Sequence, residues 1–142
     1  MNKFPITKQN IKLAMLGMTE GNGHPYSWSI IINGSYNAKA LSECPYAAII
    51  NYISKQPSSS LGIDNVNVTH IWTDDPVDAK KVAEVAHIPN VVNSPKDVIG
   101  KVDAVLVATD IGSEHIKRCQ PFIDAGIPIF VDKPLCDNYN DL

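Results

Sequence analysis

Lys101-Val102-Asp103-Ala104-Val105-Leu106-Val107-Ala108-Thr109 is the stretch that decides the fold. Its centre, Ala104-Val105-Leu106-Val107-Ala108, is apolar at every position. A strand with one wet face alternates polar and apolar residues, whereas a strand covered by helices on both faces does not. The residues that follow, Thr109-Asp110-Ile111-Gly112-Ser113-Glu114-His115, turn polar at once. Ser113 is placed to cap a helix, with Ile116, Cys119, Phe122 and Ile123 on one face and Gly126 ending it. A further strand is expected at 127–131.

The same alternation runs upstream. Ile11-Lys12-Leu13-Ala14-Met15-Leu16 reads as a first buried strand that stops at Gly17. Residues 66–73 are rich in β-branched types and read as a second. Asp75 caps a helix with Pro76 at its first position, running to about Ala86 with Val77, Val82, Val85 and Ala86 inward. Residues 89–92 form a short third strand, and Ser94-Pro95-Lys96-Asp97 opens another helix that ends by Gly100. Strands alternating with helices predict a doubly wound, Rossmann-like α/β domain, mainly parallel and three layers deep. Residues 24–65 exceed what a simple crossover needs. A helix is expected near 45–55, after a stretch holding Pro25, Asn33, Gly34 and Asn37, and the whole is read as an insertion between the first and second strands, packed over the ligand edge.

Composition sets limits on function. With 142 residues, 44% hydrophobic and 19% charged, the chain has globular proportions. Its net charge of -3 and its two adjacent basic pairs, Lys80-Lys81 and Lys117-Arg118, give no footprint for nucleic acid. Its longest apolar runs are five residues against the ~20 a membrane span needs. The first residues lack the apolar region of a secretory signal, and Cys44, Cys119 and Cys136 are odd in number and far apart, so a cytoplasmic protein with reduced cysteines is expected. His24, His70 and His87 show no metal-ligand spacing with one another or with the cysteines, so no metal is expected; His70 reads as a sheet-face residue.

Four segments at strand ends are candidates for chemistry. Gly17-Met18-Thr19-Glu20-Gly21-Asn22-Gly23-His24 follows the first strand, where glycines let backbone approach a pyrophosphate. The G-x-G-x-x-G spacing is broken, with Thr19 and Asn22 at the second and third glycine positions, so the pattern alone fits a plain turn as well. Trp72-Thr73-Asp74-Asp75-Pro76 ends the second strand. Thr73 falls where an acid commonly meets the adenosine ribose, and Asp74 comes next; Asp74 would repel a 2'-phosphate. Ala108-Thr109-Asp110 and His115 follow the strongest strand, although a lone helix histidine is more often partly exposed packing. Asp132-Lys133-Pro134 closes the last strand, and a lysine there can orient a substrate hydroxyl and lower its pKa.

Taken in order, these segments resemble the N-terminal domain of the Gfo/Idh/MocA oxidoreductases. The final third carries the resemblance most strongly: 101–109, His115, Gly126, Ile129 to Val131 and Asp132-Lys133-Pro134-Leu135, with Asp132 where that family usually has glutamate. The resemblance implies NAD or NADP as cofactor and hydride transfer at a sugar, polyol or cyclitol hydroxyl. It would set Lys133, with Pro134 behind it, beside the nicotinamide as the catalytic lysine. Gly17, Thr19, Gly21, Asn22, Gly23 and His24 would line the pyrophosphate side. Thr73 and Asp74 would face the adenosine ribose, and Ala108, Thr109, Asp110 and His115 the nicotinamide half. The family's usual acid and base belong to a C-terminal domain. The expectation is therefore that residues 1–142 are the cofactor domain of a longer, two-domain protein, a homo-oligomer in the family's manner, and that this chain alone does not turn over a substrate. The alternative is a stand-alone Rossmann module for nucleotide sensing or protein interaction.

Overall fold

The structure, a computed structural model, describes residues 10–142. The first strand, β1 (Ile11–Leu16), leads through the glycine loop into α1 (His24–Asn33). Two short helices follow, α2 (Ala38–Ser42) and α3 (Ala47–Ile53), with a 3-10 turn at Ser58–Ser60. Then come β2 (Val66–Trp72), α4 (Pro76–Ala86) and β3 (Asn90–Val91), a 3-10 turn at Pro95–Val98, β4 (Ala104–Val107), α5 (Gly112–Asp124) and β5 (Ile129–Val131). The sheet is parallel throughout, in the order β3-β2-β1-β4-β5. This is the doubly wound topology, and its switch point lies between β1 and β4.

Alternate residues of each central strand face opposite layers. Leu13 and Met15 join Tyr26 and Ile30 of α1 and Val82 and Ala86 of α4 in one core. Ala14 and Leu16 join Val105, Val98 and Phe122 of α5 in the other. Met15 is fully buried, so truncating it to alanine would cost about 2–5 kcal/mol. The period-2 geometry of a strand thus turns one unbroken apolar run into two cores, and three layers result.

Helix α1 corrects the reading of 24–65. Residues 24–33 are the ordinary crossover helix rather than part of an insertion. Pro25 sits in its first turn, where a missing N–H costs nothing. Asn33 locks its far end: the side-chain amide donates to the carbonyls of Val68 and Ala86, at 3.2 and 3.0 Å, and its oxygen accepts the Val68 N–H at 2.7 Å. Gly34 follows with φ of 73°. The extra length is confined to α2, α3 and the turn after them, and α3 is shorter than the expected 45–55.

Several boundaries also move. The second strand stops at Trp72, the third and fifth are shorter than expected, and the Ser94 start opens a 3-10 turn, though with its capping box intact. Ser113 is not the cap of α5; Ile111 is, and the Ser113 N–H donates to Asp137. The inner face of α5 is His115, Cys119 and Phe122, while Ile116 and Ile123 are exposed, as is Val77 on α4. Asp75 does cap α4, accepting the Val77 N–H at 2.8 Å. His70 lies half-buried on β2. Among the described residues no helix is long and apolar enough to cross a membrane.

Candidate functional site

The carboxyl ends of β1, β4 and β5 bring three of the four candidate segments together. At the end of β1, Gly17 takes φ of 83° and its N–H donates to the Trp72 carbonyl. A Cβ there would lie 2.6 Å from Thr109 Cγ2 and 3.4 Å from Arg118 Nη1, so only glycine fits this crossing of loops. The Thr19 hydroxyl donates to Asp110 at 2.5 Å, tying the loop after β1 to the loop after β4. Asn22 is buried; its amide donates to the Ala108 carbonyl at 3.3 Å and to Asp132 at 3.1 Å, and its oxygen accepts the His24 N–H. A Cβ on Gly23 would run into Tyr46 and Ile49, which places α3 against this loop.

Asp132 is the hub of the β5 end. It is 4% exposed and meets His24 Nδ1, Asn22 Nδ2 and the Lys133 N–H. Burial works to raise its pKa, but the hydrogen bonds from His24, Asn22 and Lys133 outweigh burial and lower it overall. His24 stacks on Trp28 with 4.5 Å between ring centroids, and Trp28 meets Phe130 edge-on. Lys133 and Pro134 are exposed at the rim, joined by a cis peptide bond, and the Lys133 ammonium makes no ion pair among the described residues.

His115 is not a partly exposed helix residue. It is 1% exposed, with Nε2 at 2.8 Å from the Thr109 carbonyl and Nδ1 at 3.2 Å from that of Leu135. It thus reaches the crevice through Thr109 rather than directly. Thr73 is likewise turned inward, its hydroxyl donating to the Asp75 carbonyl. The next residue, Asp74, presents its carboxylate at the rim.

Asp74 borders a cavity of about 370 Å³ beside the switch point. Leu16, Trp72, Val107 and Phe122 form its apolar walls, and Gly17, Glu114 and Arg118 stand at its mouth. Arg118 bridges the two acids, donating to Asp74 at 2.8 and 3.3 Å and to Glu114 at 3.0 and 2.8 Å. Desolvation pulls its pKa down, but the hydrogen bonds to Asp74 and Glu114 outweigh it and raise the pKa. Sequence reasoning missed Arg118, Glu114 and the hub role of Asp132. The four-residue spacing of Glu114 and Arg118 was a visible signal, while their link to Asp74 spans 44 residues and was not.

An apolar slot with a charged mouth, beside a glycine that a Cβ would block, fits a dinucleotide, and the arrangement defines a Rossmann-type cofactor-binding domain. The sequence matches the family described as an oxidoreductase family with an NAD-binding Rossmann fold over residues 47–142. The chain belongs to this family, Gfo/Idh/MocA, and is an NAD-binding Rossmann domain. The match starts at α3, so β1 and the irregular glycine loop lie before it.

No curated protein matches the chain. Solved structures do. UDP-N-acetylglucosamine 3-dehydrogenase GnnA from Acidithiobacillus ferrooxidans aligns with a TM-score of 0.57 at 14% identity, over 93% of this chain and 32% of its own. Myo-inositol 2-dehydrogenase from Lactobacillus plantarum gives 0.57 at 16%, over 94% and 31%. Scyllo-inositol dehydrogenase from Lactobacillus casei, with bound NAD(H) and scyllo-inositol, gives 0.59 at 14%, over 94% and 31%. At these identities the likeness is one of fold. The chain spans about a third of the length of these proteins.

Proposed function

We propose that residues 1–142 are the cofactor domain of an oxidoreductase that moves hydride between NAD(P) and a hydroxyl-bearing carbon of a sugar, polyol or cyclitol. The observation that carries this reading is the convergence of Gly17, Thr109 and Asp132-Lys133 at the carboxyl ends of adjacent strands. When bound, the nicotinamide supplies the site that accepts or gives up hydride. The chain's own part is to bind and orient. The Gly17 to His24 loop lies along the pyrophosphate, Asp74 serves the adenosine ribose, and Ala108 to Asp110 border the nicotinamide half. The exposed Lys133 orients the reacting hydroxyl, and its positive charge favours loss of the hydroxyl proton. The inositol and nucleotide-sugar dehydrogenases with this fold support the substrate class. The acid and base then come from a second domain, and the chain alone binds cofactor without turnover.

Titration of the 142-residue chain with NADH tests the proposal, read by energy transfer from Trp72 and Trp28 to the dihydronicotinamide. Saturable binding, weakened by Thr109→Ala, is the expected result. A folded chain that binds no dinucleotide overturns it, and robust turnover of a polyol panel by the chain alone overturns the division of labour.

A further inference from the structure

Lys133 sits on a short stretch of chain that is tied down at both ends. Upstream, Asp132 is held by His24 Nδ1 and by the Asn22 amide, the latter at 3.1 Å. Downstream, the Leu135 carbonyl lies 3.2 Å from His115 Nδ1, and the Asp137 carboxylate accepts the Ser113 N–H at 2.7 Å. We infer that Asp137 is a positioning residue for Lys133: by capping α5 it fixes the segment that carries the lysine against the loop after β4. The inference deepens the cofactor-domain reading, in which Lys133 meets the nicotinamide half, and rests on it.

The cap of α5 comes from an unexpected place. The first turn of a helix leaves N–H groups without intrahelical partners, and the side chain just before the helix commonly supplies an acceptor. Here that residue is Ile111, which has none to offer. The acceptor comes instead from Asp137, 24 residues beyond Ser113 and past the end of β5. A carboxylate suits the position, because the helix dipole is positive at that end. A serine or aspartate at position 111 would cap the helix locally. The distant cap does a second thing as well, since it joins the loop after β4 to the loop after β5.

Gly112 shows how close this join is. It is buried, it opens α5, and its φ is not positive, so its backbone conformation suits any residue. What bars a side chain is the facing segment. A Cβ there would run into the Asp137 carboxylate and come within 2.9 Å of the Cys136 carbonyl carbon. The glycine serves contact, not conformation.

Only Lys133 and Pro134 lie between the anchored residues Asp132 and Leu135. A residue spans at most about 3.6 Å of extended chain, so this bridge leaves the lysine backbone little room. The side chain itself is exposed, and the fixed backbone sets where its ammonium can reach. Such an arrangement favours a productive encounter with a bound ring, because the entropy of ordering the segment is lost on folding rather than on binding.

The test is acetylation of the 142-residue chain by acetic anhydride, with the rate at each lysine read by peptide mass spectrometry. It is run without NADH and at an NADH concentration that saturates each variant, and each variant is checked for fold by far-ultraviolet circular dichroism. Lys80, exposed on α4, is the internal reference. In the parent, NADH should slow acetylation of Lys133 by about tenfold or more relative to Lys80. Asp137→Ala should cut that protection to about threefold or less, and Asp137→Asn, which keeps an oxygen for the Ser113 N–H, should restore it. Gly112→Ala presses on the segment from the helix side and should also lose protection, which keeps the test open if Asp137→Ala folds poorly. Full protection in Asp137→Ala, with only the urea midpoint lowered, would make Asp137 a helix cap and nothing more, and overturns the inference. A parent that binds NADH without shielding Lys133 overturns it too, while leaving dinucleotide binding intact. A folded parent that binds no NADH overturns the cofactor-domain reading, and the inference falls with it.

Discussion

His24, the first residue of α1, and Asp132, one residue past β5, meet through Nδ1 and Oδ2 across 108 residues of chain. Together with Asn22 they weld the glycine loop to the segment bearing Lys133. Removing the carboxylate leaves buried donors of Asn22 and the Lys133 N–H without their acceptor. Asp132→Ala should therefore cost about 1–3 kcal/mol, measured by urea denaturation. The pH dependence has a definite sign. The folded-state pKa of Asp132 lies below its ordinary value of 3.8, so the unfolded chain binds the proton first. This contribution is full above pH 3.8 and is lost as pH falls through the lower, folded value. The stability gap between Asp132→Asn and the parent should thus narrow on acidification below about pH 4.

Gly17 and Gly34 separate cofactor binding from folding. Both have positive φ, which costs an L-residue about 1–2 kcal/mol. At Gly17 a Cβ would press on Thr109 Cγ2 in the crevice, so Gly17→Ala should lower both stability and NADH affinity, the latter by more than tenfold. At Gly34 the obstacle is backbone, with Gly62 Cα only 2.8 Å away, and it lies beside the amino end of β2 rather than at the carboxyl ends of the strands. Gly34→Ala should destabilise at least as much and leave the NADH affinity of the folded fraction unchanged. Denaturation and titration of both variants check the pair.

Ser29 offers a substitution of the opposite sign. It is fully buried within α1, and its hydroxyl finds no partner among the described residues. A buried hydroxyl without a hydrogen bond is a standing cost. Ser29→Ala removes it and improves helix propensity, so a gain of about 1 kcal/mol is expected in urea denaturation. A loss of stability would mean that the hydroxyl has a partner.

How much of this was legible depends on the distance over which each feature is decided. The unbroken run Ala104-Val105-Leu106-Val107-Ala108 announced a strand covered on both faces, and Asp75-Pro76 announced the cap of α4, because both are settled within a few residues. Helix α1 was hidden by Pro25, which reads as a breaker until one knows it stands in the first turn. The face of α5 was misjudged because Ile116 and Ile123 outrank a histidine in hydrophobicity. His115 is inside nonetheless, its ring lying between the carbonyls of Thr109 and Leu135. The four candidate segments stand out by their positions after strands. The Asp132 hub and the Arg118 bridge were not, because chain crossovers alone bring their members together.

His115 supports a last prediction about those carbonyls. Nε2 lies 2.8 Å from the Thr109 carbonyl and 3.2 Å from its hydroxyl, and Nδ1 lies 3.2 Å from the Leu135 carbonyl. The shorter contact sets the ring chiefly against Thr109, at the end of β4. His115→Leu keeps most of the volume but leaves the Thr109 carbonyl unpaired in a buried setting, at a cost of about 1–3 kcal/mol. The urea midpoint should fall while the slope stays constant, as expected when stability changes without a change in the surface exposed on unfolding. NADH affinity should fall as well if Thr109 borders the nicotinamide half as proposed, because the histidine holds its backbone at the end of β4. A variant as stable as the parent would mean that packing, rather than hydrogen bonding, keeps His115 inside, and Thr109 would then need no such support.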